Sequence, residues 1–126
     1  MPALPDRRYL QTHEWHKPEG DLVVIGITDF AADELTDITF VSLPKIGDKF
    51  SAGQRFGEVE SVKATSDLYC GVEGTVAAVN EDLKDQPGLV NSDPYGKGWM
   101  IKVKAARPGD INQLLTMDDY LKKTGH

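Results

Sequence analysis

Residues 55–70 read RFGEVESVKATSDLYC and contain the pattern that decides the fold. Two runs with β-branched and aromatic side chains flank a small polar centre, and further glycines lie on both sides of the stretch. Such side chains favour strands, whereas glycine favours the turns between them. Phe56, Val59 and Val62 also recur every three residues, so the periodicity alone is ambiguous. The glycines and the β-branched content favour two short strands around a turn, with Lys63 at the tip of the hairpin.

Similar short patterns lie on both sides of this hairpin. Apolar, β-branched runs bounded by turn residues predict strands at residues 22–27, 38–41 and 74–80. The alternation in residues 99–104, WMIKVK, predicts another strand. Glycine and proline interrupt the chain so often that a strand-rich fold suits it better than a helical bundle.

Two helix patterns flank the strands, one near each end of the chain. Thr28 and Asp29 can cap a helix over residues 30–35. Asp110 can cap a second helix, whose apolar face is predicted to hold Ile111, Leu114, Leu115 and Leu121. The sequence therefore predicts a mainly β fold with short helices near both ends.

The composition limits the classes of function. A chain of 126 residues predicts a single domain over residues 1–126. Its 14 Lys and Arg against 20 Asp and Glu give a net charge of −6, which argues against binding to nucleic acid through the phosphates. Cys70 is the sole cysteine in the sequence, so an intramolecular disulfide and a cysteine-rich zinc site are both excluded.

The N-terminal residues show no targeting pattern. The sequence MPALPDRRYL has two prolines and three charges where a signal peptide needs an apolar run. The longest aliphatic run, at residues 22–25, is far too short to span a membrane. We therefore expect no membrane association and a cytoplasmic, bacterial-type protein, or a mitochondrial matrix protein if the chain is a processed eukaryotic form.

Few side chains suggest catalysis. His13, Glu14 and His16 fall one residue short of the His-Glu-x-x-His spacing of zinc proteases, so we interpret this segment as a surface turn anchored by Trp15. Cys70 could be a nucleophile with one of these histidines as its base, or a small residue that fills the core. The sequence predicts no catalytic residue and no metal site.

Residues 60–64, ESVKA, followed by SDLY and Gly74, resemble the lipoyl-attachment hairpin of lipoyl domains. Biotin carriers usually flank their modified lysine with methionines, whereas Val62 and Ala64 flank Lys63 here. The resemblance therefore favours lipoate over biotin. A lysine suits this role because its primary amine can be acylated and its four-carbon stem adds reach.

Further motifs match one family in order and in spacing. They are Tyr9, HEW at 13–15, GITD at 26–29, FV at 40–41, LP at 43–44, GD at 47–48, LVNSDPYG at 89–96 and GW at 98–99. From about Tyr9 to Leu121, the chain is similar to the H-protein family of the glycine cleavage system. The resemblance implies a flattened barrel-sandwich hybrid, lipoyl-domain-like, that acts as a non-catalytic carrier.

The resemblance also implies what is carried. Lipoate on Lys63 would receive an aminomethyl group at the glycine decarboxylase (P protein) and take it to the tetrahydrofolate-dependent aminomethyltransferase (T protein). Dihydrolipoyl dehydrogenase (L protein) would accept the electrons. A lipoate ligase or lipoyl transferase would attach the cofactor, and the carrier would be a monomer.

The site residues of the family map onto matching positions. Glu60 and Gly74 correspond to positions that matter for recognition by the ligase. The cleft that receives the loaded arm corresponds to Thr12, Glu14, Ile27 and Asp67. Both carboxylates could pair with a cationic amine, and exclusion of water would slow its loss. Plainer structural interpretations make Asp67 a turn residue and Gly74 a glycine that permits a close turn.

The chain departs from the family pattern at a few positions. Cys70 and Gly71 stand where a small polar residue and proline are common, and Phe30 and Glu34 stand where some members carry histidine. Two alternatives stay open, an H-like protein that relays lipoate to 2-oxo acid dehydrogenases and a small enzyme that uses Cys70 with a histidine. The two cleft carboxylates favour the glycine carrier over the relay, because only an amine-bearing arm needs them.

Overall fold

The computed structural model describes residues 5–124, which form two antiparallel β-sheets around a shared core. The strands are β1 Arg8–Tyr9, β2 Glu14–Glu19, β3 Leu22–Ile27, β4 Ile38–Ser42, β5 Lys49–Phe50, β6 Gln54–Ser61, β7 Thr65–Cys70, β8 Gly74–Val79 and β9 Ile101–Ala105. The helices are α1 Asp29–Leu35, α2 Asp82–Asp85, α3 Leu89–Ser92 and α4 Met117–Thr124, with a 3₁₀ helix at Pro108–Gln113.

The larger sheet has six strands in the order β1-β2-β3-β9-β8-β5, and the smaller sheet has three in the order β4-β6-β7. Buried side chains from both sheets meet in one cluster, with Ile25 and Val103 from the larger sheet and Val59 and Leu68 from the smaller one. This architecture confirms the predicted mainly β, lipoyl-domain-like sandwich with short helices near both ends. The hairpin that bears Lys63 belongs to the smaller sheet.

Strand β3 is buried on both faces. Val23 and Ile25 join the core between the sheets, while Val24 packs in a second cluster with Tyr9 and Trp15 on the opposite face. A strand covered on both sides needs apolar residues at consecutive positions rather than at alternate ones. The run LVVIGI satisfies this requirement, so the predicted strand at residues 22–27 has the observed bounds.

Other local predictions are also confirmed. Thr28 caps α1, since its side-chain oxygen accepts from the backbone N–H of Ala31 at 3.3 Å. The strands predicted at residues 38–41 and 74–80 correspond to β4 and β8, each with one end moved by a single residue. The strand predicted at residues 99–104 corresponds to β9, Ile101–Ala105, and the N–H of Met100 just before it still donates to the carbonyl of Ile25 in β3 at 2.8 Å.

The surface turn predicted around Trp15 is wrong. Residues Glu14–Glu19 form strand β2, which pairs with β3 along its whole length, and Glu14, Trp15 and His16 are buried. The indole lies against Gly26, where a Cβ atom would come within 2.7 Å of the ring. The indole N–H also donates to the carbonyl of Pro94 at 3.0 Å. These contacts come from distant parts of the chain, so the local pattern did not reveal them.

The prediction of a single C-terminal helix is also wrong. A 3₁₀ helix over Pro108–Gln113 and helix α4 are separated by Leu115, which forms an antiparallel bridge with Tyr9. Both backbone hydrogen bonds of the bridge measure 2.9 Å. This long-range pairing extends the backbone at the point where the predicted helix would have continued. The short helices α2 and α3 between β8 and β9 were not predicted.

Candidate functional site

The tip of the β6–β7 hairpin is a fixed turn. The N–H of Ser61 donates to the carbonyl of Ala64 at 2.8 Å. The Ser61 hydroxyl oxygen accepts from the N–H of Ala64 at 3.0 Å and from the N–H of Lys63 at 3.3 Å. Lys63 is exposed, as are both of its neighbours. The backbone of the turn is therefore held in place while the lysine side chain faces solvent.

The surroundings of the tip are partly apolar. Val62 is 68% exposed, and its N–H donates to the carbonyl of Asp37 at 3.1 Å. Phe40 is 51% exposed and lies opposite Glu60 in the register of β4 and β6. Because β6 also pairs with β4, the hairpin is supported along its β6 edge, and β7 is the edge strand of the smaller sheet.

A cleft of about 250 Å³ lies between helix α1 and the strands of both sheets. We call it the α1 cleft, and it is lined by Thr12, His13, Glu14, Ile27, Phe30, Ala31, Glu34, Leu35, Val59, Ser66, Asp67 and Leu68. All four residues predicted for the arm cleft are in this set. The wall formed by α1 is largely apolar, whereas the two predicted carboxylates lie on β2 and β7.

Glu14 is the buried carboxylate of the α1 cleft, with only 1% of its surface exposed. One carboxylate oxygen accepts from the N–H of Tyr69 at 2.9 Å, and the other accepts from the hydroxyl of Thr12. Burial disfavours the charged form more than these hydrogen bonds stabilise it, and it raises the pKa of Glu14 to about 7. A cation placed beside this carboxyl would favour its ionised form.

Asp67 is an exposed carboxylate of the same cleft, as is Glu34. Asp67 lies within β7 rather than in a turn, which corrects the alternative interpretation. Its Oδ1 accepts from the Nε–H of Arg55 at 2.8 Å. The same guanidinium donates from Nη2 to Glu58 at 3.1 Å. Asp67 therefore already has a cationic partner, which the sequence pattern did not reveal.

His13 lies at the end of the cleft near the C-terminal helix. Its backbone is in the left-handed region with φ of 82°, and its ring lies 4.9 Å from that of Phe30. The Nδ1 atom is 2.6 Å from the hydroxyl of Tyr120, which is also 3.0 Å from the hydroxyl of Thr28. Helix α4 thus supports the start of the helix that forms the cleft wall, a contact that spans most of the sequence.

The two residues predicted for ligase recognition occupy different sheets. Glu60 pairs with Thr65 at the tip end of the hairpin, three residues before Lys63. Gly74 begins β8 in the larger sheet, where a Cβ atom would come within 2.4 Å of the carbonyl oxygen of Lys104. The structure brings Glu60 close to the tip and gives Gly74 a clear packing reason to be glycine.

The alternative Cys/His enzyme lacks a reactive thiol. Cys70 is fully buried, its Sγ donates to the carbonyl of Val72 at 3.1 Å, and burial raises its pKa to about 11. His16 is buried as well, with a pKa lowered to about 4, and its Nε2 accepts from the N–H of Gly71. Cys70 is a core residue. Residues 5–124 contain no group of three or more His, Cys, Asp or Glu side chains that could hold a metal ion.

An exposed lysine at the tip of a braced hairpin in a two-sheet β-sandwich is the arrangement of lipoyl-type carrier domains. Comparison with known proteins gives the family. The model of the glycine cleavage H-protein family matches residues 7–126. The chain is 56% identical over 115 residues to a probable glycine cleavage system H protein of Natronomonas pharaonis, covering 91% of this chain and 90% of that protein.

Two further comparisons agree. The glycine cleavage system H protein of Carboxydothermus hydrogenoformans is 54% identical over 123 residues, covering 97% of this chain and 95% of that protein. The crystal structure of a glycine cleavage system H protein from Mycobacterium marinum matches with a TM-score of 0.89 at 37% identity, covering 98% of this chain and 100% of that chain. The chain belongs to the glycine cleavage H-protein family.

Membership of this family establishes the general role. H proteins carry lipoate covalently on a lysine, have no catalytic activity of their own, and act with the P, T and L proteins of glycine cleavage. This chain is accordingly a lipoyl carrier of the glycine cleavage system. In the part of the chain that the structure describes, no helix has the length and apolar character needed to cross a lipid bilayer.

Proposed function

We propose that Lys63 is the residue that bears the lipoyl group and that the α1 cleft receives the loaded arm. The observation that supports this most directly is the fixed turn at the hairpin tip, which exposes the Lys63 side chain while Ser61 holds its backbone. A ligase can approach such a side chain without unfolding any part of the sheet. The smaller sheet would supply a rigid base from which the arm reaches its partners.

The distance from the tip to the cleft suits a flexible acyl-lysine. Asp67 follows Lys63 by four residues in the chain. Four residues of extended chain span at most about 14 Å, because each covers no more than ~3.6 Å. A lysine stem extended by a medium-length acyl chain can fold back over such a distance. The cleft of about 250 Å³ offers room for a small group at its end.

The residues of the cleft would bind and shelter the group that the arm delivers. When bound, the lipoyl group supplies the dithiolane that takes an aminomethyl group from the P protein, gives it up at the T protein and is reoxidised by the L protein. Ile27, Phe30 and Leu35 would keep water from the end of the arm. Glu14 and Asp67 would bind its cationic amine, and that amine would favour the ionised form of Glu14.

Recognition by the ligase is proposed for two positions with different support. Glu60 lies near the tip on the strand that leads to Lys63, so a ligase that binds the hairpin would meet its side chain. Gly74 lies in the other sheet, and its tight contact with the backbone of Lys104 supports an indirect contribution through the packing of β8. We also propose that residues 1–126 form a single, monomeric carrier domain.

We propose a cytoplasmic location, as expected for a bacterial-type member of the family. The support is the similarity to relatives such as the H protein of the bacterium Carboxydothermus hydrogenoformans. Fractionation of the native host followed by detection of the lipoylated protein tests this proposal. Recovery in the membrane or exported fraction would contradict it.

Incubation with lipoate, ATP and a lipoate ligase, followed by intact-mass measurement and peptide mapping, tests the proposed attachment site. We expect one lipoyl addition, located on Lys63. Lys97→Arg is the matched control, because Lys97 is also an exposed lysine in a turn. Lys63→Arg should receive no lipoyl group and should fail to support glycine decarboxylation, whereas Lys97→Arg should behave like the wild type. Full modification of Lys63→Arg would overturn the proposal.

A further inference from the structure

Arg55 forms an ion pair with Asp67, one of the exposed carboxylates of the α1 cleft. Its Nε donates to Asp67 at 2.8 Å and its Nη2 donates to Glu58 at 3.1 Å. The arginine and aspartate side chains are both about half exposed, at 50% and 46%. One guanidinium thus bridges two carboxylates on the outer face of the smaller sheet.

A bulge in β6 creates this bridge. Glu58 lies directly opposite Asp67 in the register of β6 and β7, so two like charges face each other. In a regular strand, residues three apart point to opposite faces. The register shifts between Arg55 and Gly57, which brings Arg55 to the same face as Glu58. The guanidinium therefore lies where it can neutralise both acids.

Glu14, the buried carboxylate of the cleft, has different partners. Glu14 accepts from the hydroxyl of Thr12 and from the N–H of Tyr69, both of which are uncharged donors. In the part of the chain described here, its carboxylate is in no ion pair with lysine or arginine. An amine that enters the cleft thus meets Glu14, which has no cationic partner, Glu34 on α1, and Asp67, which Arg55 already holds.

We propose that Arg55 is a positioning residue that holds Asp67 while the cleft lacks an amine and releases it when the loaded arm enters. This inference rests on the proposed attachment of the arm to Lys63. Two cations compete for the one carboxylate. The second contact of Arg55, to Glu58, lets the guanidinium turn aside without losing all of its partners. The competition weakens the hold of the cleft on the loaded arm, so that the arm can leave for the next protein.

The expected effect is modest. Ion pairs between exposed side chains contribute little, and removing one such competitor should change retention by about two- to five-fold. Salt screens exposed charges at distances near 8–10 Å, so the effect should shrink as ionic strength rises. A change of this size is expected of a contact that adjusts how long the arm stays in the cleft, rather than of one that fixes the arm there.

Arg55→Gln tests the competition, with Arg107→Gln as the matched control. Arg107 is likewise exposed and likewise donates to two carboxylates, Glu73 at 3.2 Å and Asp110 at 3.4 Å, and its loss changes the net charge by the same amount. Arg55→Lys retains the charge but not the forked geometry, so it should give an intermediate result. All forms are first checked by intact mass for the lipoyl group on Lys63 and for loading with the aminomethyl group.

Two readouts are then compared. The first is the NMR resonance of the Arg55 Nε–H group, which should shift between the oxidised and the loaded wild-type protein while that of Arg107 stays in place. The second is the lifetime of the loaded group without the T protein, which should lengthen about two- to five-fold in Arg55→Gln at low salt and remain unchanged in Arg107→Gln.

The outcomes separate the two proposals. The protein could be acylated and loaded correctly while the Arg55 resonance does not shift, or while Arg55→Gln and Arg107→Gln show equal lifetimes. Either result would overturn the role of Arg55 and leave the attachment site intact. Absence of a lipoyl group on Lys63 would overturn both proposals.

Discussion

Two of the carboxylates that line the α1 cleft, Glu14 and Asp67, have contrasting surroundings. Glu14 comes from the larger sheet, is almost wholly buried and accepts only from uncharged donors. Asp67 comes from the smaller sheet, is about half exposed and pairs with Arg55. Burial makes the charge of Glu14 depend on pH, whereas exposure makes the interactions of Asp67 depend on salt. Two of the carboxylates that line the cleft therefore respond to different conditions.

Replacing the buried carboxylate should have the largest effect on stability. Folding raises the pKa of Glu14 from 4.5 to about 7, so between these values the folded protein binds more protons than the unfolded chain. The contribution of Glu14 to stability is therefore fully present below pH 4.5 and is lost as the pH rises through 7. At ~1.4 kcal/mol per pKa unit, the loss reaches about 3 kcal/mol. Glu14→Gln removes this loss.

Urea unfolding at pH 4 and pH 8 measures this effect. The stability of Glu14→Gln relative to the wild type should rise by about 3 kcal/mol between the two pH values. Asp67→Asn serves as the control, because it leaves Glu14 in place and should retain the loss of stability that Glu14 causes. A constant difference between Glu14→Gln and the wild type across this range would show that the buried carboxyl does not titrate as described.

A neighbouring residue on the same strand should show the opposite dependence. Burial lowers the pKa of His16 from 6.5 to about 4, so between these values the unfolded chain binds the extra proton. This contribution to stability is present above pH 6.5 and is lost as the pH falls. Between pH 7 and pH 5, His16→Gln should therefore gain about 2 kcal/mol relative to the wild type. Urea titrations at both pH values test the sign of this change, and a loss of stability of His16→Gln relative to the wild type would contradict it.

The exposed carboxylate should give the smallest effect. Asp67→Asn removes the contact that we propose with the loaded arm and should shorten the lifetime of the loaded group about two- to five-fold at low salt. The difference should fade at high salt, whereas the corresponding loss in Glu14→Gln should persist because a buried site is poorly screened. Formaldehyde released from the loaded protein without the T protein measures both lifetimes. Equal salt sensitivity in the two variants would remove the contrast between the carboxylates.

Local patterns predicted much of the fold. The run LVVIGI specified β3, and the glycine-bounded stretch around Lys63 specified the hairpin, because in each case the deciding residues are neighbours in sequence. Strand β2 was missed because its letters, EWHKPE, are mostly polar. Its first three residues are nevertheless buried, since β1 and β3 flank the strand and Gly26 lies against Trp15. The predicted C-terminal helix was too long because Leu115 pairs with Tyr9, more than a hundred residues away.

The site was predicted unevenly for similar reasons. Lys63 and the four cleft residues came from the family resemblance, and the structure places those four along one cleft. The pairing of Arg55 with Asp67 was not predicted, because it needs a bulge that the alternation of side chains does not reveal. The apolar wall of α1 had a visible signal in Phe30, Ala31 and Leu35, but nothing local showed that this face covers the carboxylates.

The hydroxyl of Tyr120, which joins His13 to Thr28, makes the α1 cleft depend on the C-terminal helix. The three strands of the smaller sheet, and Lys63 with them, lie within residues 38–70. The shelter beside it depends on a helix translated about fifty residues later. The ribosome therefore makes the proposed attachment point before the helix that completes the wall of the α1 cleft.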